Sequence, residues 1–351
     1  MATQETLPPF PDNVPTAPLT RLALSKLLAH DEAEIDRFMQ ACCDIGFFYL
    51  DLQGTESGTT LLATADKLFQ TGTELFQLPL AEKQKYDFSA QGSYHGYKAQ
   101  GAMIADKEGN MDRNEFYNVS KDAILNLSPA LPGPEILSTP ETHTNLKTFI
   151  TLSHDITILV LTLLNKTLGL PESTLPDLHR LQSRSSDQVR FIKAPPQPLR
   201  DSRTAMGEHT DFGSVTILFN RLGGLQVLPA GADAEWTYVR PLPGHAIVNL
   251  GDALVKFTNG LLRSNIHRVV APPGEQAACT RYSLVYFARP GDEVVLRRLE
   301  GSECIPEGGE DEVISSKEWV LRRALGRRGG LGSAEYEKSA GTEMMSRRIR
   351  V

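Results

Sequence analysis

"GEHTDFGSVTIL", residues Gly207 to Leu218, reads as the entrance to a β-strand with two metal-grade side chains at its mouth. His209 and Asp211 lie two apart, so on an extended chain both point to the same face. With 8 histidines and 43 acidic residues in 351, about one His-x-Asp or His-x-Glu triplet is expected by chance. A second triplet, His30-Asp31-Glu32, does occur. The pair alone therefore decides nothing, and its weight depends on what surrounds it.

Around it the texture is that of short strands. From residue 185 onward "QVRFIKA", "SVTILFN", "GLQVL", "EWTYVRP", "HAIVNLG", "HRVVAP" and "RYSLVYFARP" follow one another, most of them separated by Gly, Pro, Asn or Asp. Regularly spaced short strands of this kind indicate a sandwich or barrel. The sequence before it is mostly helical. "DEAEIDRFMQACCDIG" carries Ile35, Phe38, Met39 and Cys42 at amphipathic spacing, with acidic residues in its first turn and Gly46 at its close. Further helices are predicted from about Leu61 to Leu78, at "LAEKQKY" and from about Leu146 to Leu168, and "FFYLDL" is predicted as a strand. The expected organisation is a mostly helical region over 1–180, a β core over 181–300 and a C-terminal extension over 301–351, helical near Ser316 to Leu325 and otherwise partly disordered.

Composition narrows the function classes. A chain of 351 residues with 40% hydrophobic and 23% charged residues is long enough for a large core. Its net charge of −7 comes without a long acidic or basic block, so nothing points to nucleic acid. The arginines from Arg322 to Arg328 and from Arg347 to Arg350 read as solvated faces. Cys42, Cys43, Cys279 and Cys304 show no C-x-x-C spacing and read as reduced thiols. The N-terminus lacks a secretory signal, and the apolar run near Ile156 to Leu164 is too short to span a bilayer. A cytoplasmic protein with no membrane, nucleic-acid or protein partner is expected.

The metal reading gathers partners downstream. A facial triad of two histidines and one carboxylate needs a second histidine on a neighbouring strand, and leaves three coordination positions open. His267, in "TNGLLRSNIHRVVAPP", fits that need better than His245, which follows a Pro-Gly turn and reads as a strand-edge residue. Arg281 and Ser283 in "RYSLVYF" share one face of a strand. Arginine presents a planar fork suited to a carboxylate, and a hydroxyl beside it completes the grip.

With these residues in place the chain resembles the Fe(II)- and 2-oxoglutarate-dependent oxygenases of the isopenicillin N synthase-like group. "HTD", "GDALVKFTNGLLRSNIHRV" and "RYSLVYF" match that group's C-terminal motifs in order and spacing. "ACCDIGFFYL", "LFQLPLAEKQKY", "HGYKAQG" and "DRNEFYNV" look like its helical cap region. The resemblance covers about Leu24 to Pro290. It implies an α+β fold, a double-stranded β-helix (jelly-roll) core with a helical N-terminal region packed against it. It further implies that His209, Asp211 and His267 hold Fe(II), and that Arg281 and Ser283 bind the distal carboxylate of 2-oxoglutarate. One departure stands out. Where the group commonly has an Asn-Tyr-Tyr-Pro-like strand whose second Tyr helps hold the cosubstrate, this chain has "VRFIKAPP", with Ile192 and Ala194 at the Asn and Tyr positions.

The activity so implied is oxidation of a small organic molecule by O2 and 2-oxoglutarate, releasing succinate and CO2. Hydroxylation is the default, with desaturation, ring closure or ring expansion as variants, in a fungal natural-product setting. Arg190, Ile192 and Phe212 are expected to touch the substrate, and an inward Arg190 suits an anionic or carbonyl-rich one. Tyr94, His95, Tyr97 and Tyr117 are expected in loops over the mouth. Three other readings stay open: an iron oxidase of the same fold that does not use 2-oxoglutarate, a zinc hydrolase on the same triad, and a non-catalytic small-molecule binder.

Overall fold

Strand alternation gives the large sheet of this protein two different faces, one for a helical layer and one for a cavity. In a computed structural model, residues 7–106, 108–197, 204–229, 234–308, 312–326 and 341–342 are described. In chain order the strands are β1 (Thr20–Ala23), β2 (Phe47–Asp51), β3 (Gly96–Lys98), β4 (Glu115–Ser120), β5 (Gln188–Ala194), β6 (Met206–His209), β7 (Val215–Asn220), β8 (Leu225–Val227), β9 (Thr237–Tyr238), β10 (His245–Leu250), β11 (His267–Val269) and β12 (Arg281–Ala288). The helices are α1 (Leu24–Leu28), α2 (Glu32–Asp44), α3 (Glu56–Gln77), α4 (Leu80–Gln84), α5 (Lys121–Ile124), α6 (Glu135–Ser138), α7 (Pro140–Thr167), α8 (Thr174–Asp177), α9 (Asp252–Phe257) and α10 (Ser316–Gly326).

Eight strands form the major sheet in the order β1-β2-β10-β7-β12-β5-β4-β3, and four form the minor sheet in the order β6-β11-β8-β9. All pairings are antiparallel except β1 with β2. The major sheet takes strands from both sides of the boundary expected at residue 180, so the N-terminal region contributes to the jelly roll as well as covering it. "HGYKAQG" and "DRNEFYNV" are part of that contribution, as β3 and β4. Tyr97 and Tyr117 are therefore not in mouth loops. Their side chains are buried in the core beneath the helices.

The outer face of the major sheet carries Phe48, Leu50, Val189, Phe191, Ile217, Leu284 and Tyr286, which pack with Leu68, Phe149 and Leu161 of the helical layer. Each such side chain contributes on the order of 1.5–3 kcal/mol through burial. α7 is long and apolar enough to cross a membrane by length and composition, yet it packs against α3 and β12. On the inner face, Phe47, Tyr49 and Ile247 meet Leu225 and Val227 of the minor sheet. That contact holds the two sheets together at one end and leaves a cavity between them at the other.

Capping sets the helix boundaries. Asp31 accepts the Glu34 N–H at 2.9 Å and starts α2, and Gly46, at φ 70°, ends it where a Cβ would strike the Arg263 carbonyl. α3 and α7 begin five to six residues before the apolar periodicity does. Thr55 and Thr139 cap them, with Pro140 at the first position of α7. α10 matches the helix expected near Ser316 to Leu325. Much of the remaining 301–351 extension, including Arg327, Arg328 and the arginines from 347 to 350, lies outside the described residues.

Candidate metal centre

β6 and β11 are antiparallel neighbours in the minor sheet, and His209 and His267 are directly opposed in their register. The two imidazoles stand with ring centroids 4.2 Å apart. Asp211 follows two residues after His209, in the turn between β6 and β7, and its Oδ1 lies 3.9 Å from His267 Nε2. One ligand atom from each of the three residues falls within 4.8 Å of the others, and all three side chains are buried.

The surroundings fix how each side chain is presented. His209 Nδ1 sits 2.8 Å from the Gly207 carbonyl and His267 Nδ1 sits 3.1 Å from the Asn265 carbonyl. A carbonyl can only accept, so both Nδ1 atoms carry hydrogen, which leaves Nε2 of each ring as the atom that can ligate a metal. Gly207 is required at its position, because a Cβ there would collide with the Ala105 backbone. Asp211 Oδ2 accepts from Thr216 Oγ1 at 2.7 Å and from Asn249 Nδ2 at 2.8 Å, which turns Oδ1 towards the imidazoles. Thr216 and Asn249 were not anticipated from the sequence. The available signal was a polar residue on the inward face of each of two apolar strands.

Two neutral imidazole nitrogens and a carboxylate on one face of a buried cavity are the donor set that non-haem Fe(II) takes, with outer partners holding each ligand. The residues fit that ion. They also fit its cosubstrate. Arg281 is 3% exposed, donates from Nη1 to Ser283 Oγ at 2.7 Å and from Nε to the Gly223 carbonyl at 2.7 Å. Burial pulls its pKa down to about 10, with no charged neighbour among the described residues contributing to the shift. A buried cation without a carboxylate beside it is expensive unless an anion joins it. Arg281 and Ser283 line the cavity that contains the triad, as do Phe47, Leu218, Leu225 and Val285. Ala194 is paired directly with Arg281 across the β5–β12 ladder, and Ile192 with Ser283.

Arg190 and Ile192 point into the same cavity. The Arg190 guanidinium lies between two rings, 4.2 Å from the Phe116 centroid and 4.9 Å from that of Phe287, and its Nε donates to Asn118 Oδ1 at 2.7 Å. An adjoining cavity shares Arg190, Met206 and His209 with the first and is lined further by Asn118, Tyr94, Phe212 and Ala324. Phe212 is thus a wall residue of this cavity. Tyr94 and Asn118 also border a wider cleft of about 610 Å³ that includes His95, Lys317 and Leu321. His245 lies apart from the triad. It heads β10, with its Nδ1 2.8 Å from the Pro243 carbonyl.

The C-terminal helix was not expected at the site. Arg323 of α10 is fully buried, correcting its reading as a solvated residue. It pairs with Asp252 at 3.2 Å and lies 4.8 Å from the Phe212 ring centroid. Arg322, beside it, pairs with the exposed Glu312.

Residues 185–290 match the profile of the 2OG-Fe(II) oxygenase superfamily, and residues 14–136 match that of the non-haem dioxygenase in morphine synthesis N-terminal region. A 2-oxoglutarate-dependent dioxygenase of Aspergillus fumigatus is 34% identical over 338 residues, covering 89% of this chain and 86% of its own. The 2-oxoglutarate-dependent dioxygenase frbH of Dothideomycetidae sp. is 31% identical over 310 residues, covering 87% and 89%. Among solved structures, a full-length Neurospora crassa protein in complex with alpha-KG aligns with TM-score 0.71 at 22% identity, over 87% of this chain and 95% of its own. JOX2 in complex with 2OG, Fe and JA aligns with TM-score 0.67 at 22% identity, over 96% of both chains. Identities this low speak for the fold.

Proposed function

Because the chain belongs to the 2OG-Fe(II) oxygenase superfamily, as a non-haem iron dioxygenase using 2-oxoglutarate and O2, we propose that it hydroxylates a small, planar, anionic or carbonyl-rich molecule in fungal secondary metabolism. Desaturation and ring closure or expansion are variants of the same hydrogen removal. We assign His209, Asp211 and His267 as the iron ligands and Arg281 with Ser283 as the cosubstrate clamp. A cytoplasmic location accords with the four free cysteines.

The iron, when bound with 2-oxoglutarate and O2, supplies the oxidising power, and succinate and CO2 are released. The chain's own residues do the rest. Gly207 and Asn265 carbonyls hold the imidazole tautomers, while Thr216 and Asn249 hold the Asp211 carboxylate. Arg281 and Ser283 receive the far carboxylate of the cosubstrate and so fix which end of it faces the triad. Phe47, Leu218 and Val285 keep that part of the cavity apolar and exclude water.

The observation that carries the substrate class is the placing of Arg190. It lines both the triad cavity and the cavity adjoining it, with its guanidinium near the rings of Phe116 and Phe287. A stacked guanidinium is held in one plane, ready to meet a carboxylate or carbonyl edge-on. Solved relatives of the same fold hold comparably small molecules, thymine in one case and JA in another. The test is succinate release from 2-oxoglutarate across a panel of aromatic and polyketide-like acids and their neutral esters. Stimulation by acids or carbonyl-rich compounds, lost by about 10- to 100-fold in kcat/KM in Arg190→Met, is expected from the ~1.5–3 kcal/mol of a charged hydrogen bond. Equal turnover of acids and esters, unchanged in Arg190→Met, would remove this substrate class.

A further inference from the structure

Beyond His209, the last residue of β6, the chain carries Asp211 through a turn to β7 that has no regular secondary structure, so the shape of that turn is imposed from outside. Three consecutive carbonyls of this turn are each held by a distant residue. The Thr210 carbonyl accepts from Arg323 Nη2 at 3.0 Å, the Asp211 carbonyl accepts the Asp252 N–H at 2.8 Å, and the Phe212 carbonyl accepts from Trp319 Nε1 at 3.0 Å. Two of the three donors come from α10, 113 and 107 residues further along the chain.

These bonds belong to one buried cluster. Arg323 Nη2 also reaches Thr210 Oγ1 at 3.0 Å, and that hydroxyl donates to Asp252 Oδ2 at 3.1 Å. Thr342 Oγ1 closes the far side on Asp252 Oδ1 at 2.6 Å. Gly341 permits the approach, because a Cβ there would strike both Asp252 and Arg323. Thr210, Asp252 and Arg323 are each 0% exposed. The same helix places Ala324 on the wall of the adjoining cavity that Phe212 also lines.

We propose that α10 is a working part of the iron site, and that Arg323 and Trp319 are positioning residues that set the His209–Thr210–Asp211–Phe212 turn. Without them the turn keeps its ligands but loses the two donors flanking Asp211, and the carboxylate is no longer held at a fixed distance from the imidazoles. The same displacement moves Phe212, so the docking of α10 ties ligand geometry to the shape of the substrate wall. α10 lies beyond both stretches that match family profiles, so this support comes from the chain's own C-terminal segment. The inference rests on the ligand assignment made above.

The experiment is an anaerobic titration of the metal-free, full-length protein with Fe(II) in the presence of 2-oxoglutarate. It follows the visible charge-transfer band of the chelated cosubstrate, with the Tm of each metal-free variant measured in parallel. Trp319→Phe removes one N–H while keeping an aromatic ring, and Arg323→Met removes the guanidinium while keeping its stem. Each is expected to weaken apparent Fe(II) binding by about 10- to 100-fold, the usual effect of losing an outer partner of a metal ligand. Trp319→Phe alters a buried side chain and is expected to lower the metal-free Tm as well, but the protein should remain folded at the titration temperature. Arg323→Lys should recover part of the affinity lost in Arg323→Met. Lys317→Ala, on an exposed position of the same helix, should bind as wild type does. Wild-type affinity in both Trp319→Phe and Arg323→Met, whatever their Tm, would reduce α10 to a packing element and overturn the inference. If Arg323→Met does not fold, Trp319→Phe decides alone. A wild-type protein that fails to bind Fe(II) would overturn the ligand assignment together with this inference, a result distinct from normal wild-type binding with unaffected variants.

Discussion

At the scale of single residues, the proposed site divides into side chains assigned to the ion or cosubstrate and side chains that aim them. His209→Ala removes a ligand and should abolish the Fe(II)-dependent charge-transfer band. Thr216→Val keeps the shape of its side chain but withdraws one of the two donors on Asp211 Oδ2, and should weaken Fe(II) binding by about 10-fold. An affinity equal to wild type in that variant would show that Asn249 alone orients the carboxylate. Arg281→Met should raise the 2-oxoglutarate concentration needed for half-saturation by about 10- to 100-fold, the equivalent of ~1.5–3 kcal/mol for a charged hydrogen bond. A smaller change would mean that Ser283 and the iron carry most of the cosubstrate affinity. Four of the five assigned residues were legible in the sequence because His209 with Asp211 and Arg281 with Ser283 stand two apart, so period-two alternation brings each pair to one face. His267 was reached instead from the need for a second histidine on a neighbouring strand. The aiming residues were not legible. Thr216 and Asn249 differ from ordinary strand residues only in where the neighbouring strands place them, and that is a matter of register between β7 and β10.

At the scale of elements, β5 shows how one strand serves two masters. Arg190 and Ile192 face the cavity, whereas Val189 and Phe191 face the helices. The Phe191 ring lies against α3 at Gly72, where even a Cβ would come within 3.0 Å of it. Phe191→Ala should therefore lower stability by about 3–5 kcal/mol, the range for emptying a buried aromatic site, read as a shift in the urea midpoint. Fe(II) binding at low temperature should persist, because the opposite face of β5 is untouched. Loss of iron binding in a protein still folded would show that the helical layer and the cavity are coupled through the strand. Alternation also explains which elements were readable. The strands after residue 185 are mostly short apolar runs set off by turn residues, and all seven quoted runs contain one, whereas β6 lies in none of them. β3 and β4 do not announce themselves: they stand apart from that series, amid mostly helical sequence, and β4 is interrupted on its inner side by Asn118, which serves Arg190. The starts of α3 and α7 were missed for a related reason, since their first turns are polar and only the capping Thr55 and Thr139 mark them.

At the scale of the whole molecule, the least legible feature is the return of the chain's end to its metal site, because no local pattern links Arg323 to Thr210. The same long-range packing buries groups that titrate near neutrality. His179, beyond α8, is 3% exposed; its Nδ1 donates to the Leu175 carbonyl and its Nε2 accepts from Ser214 Oγ at 2.6 Å. Burial pushes its pKa from 6.5 down to about 4, and His95, half-buried with Arg289 and Arg190 nearby, is pushed to about the same value, mainly by loss of solvent. A histidine neutral in the folded chain but protonated in the unfolded one gives the unfolded state the extra proton between those two values. Stability then rises with pH across that window and is fully present above about 6.5. It is lost as pH falls towards 4, by up to about 3 kcal/mol for a group as buried as His179. The Tm of the metal-free protein should accordingly fall steadily from pH 7 to pH 4.5. His179→Gln should be less stable at pH 7 yet show a shallower fall, because its side chain has no proton to gain. A Tm that is level across this range in wild type, or a slope unchanged in His179→Gln, would mean that the interior around His179 opens to water before the imidazole is charged.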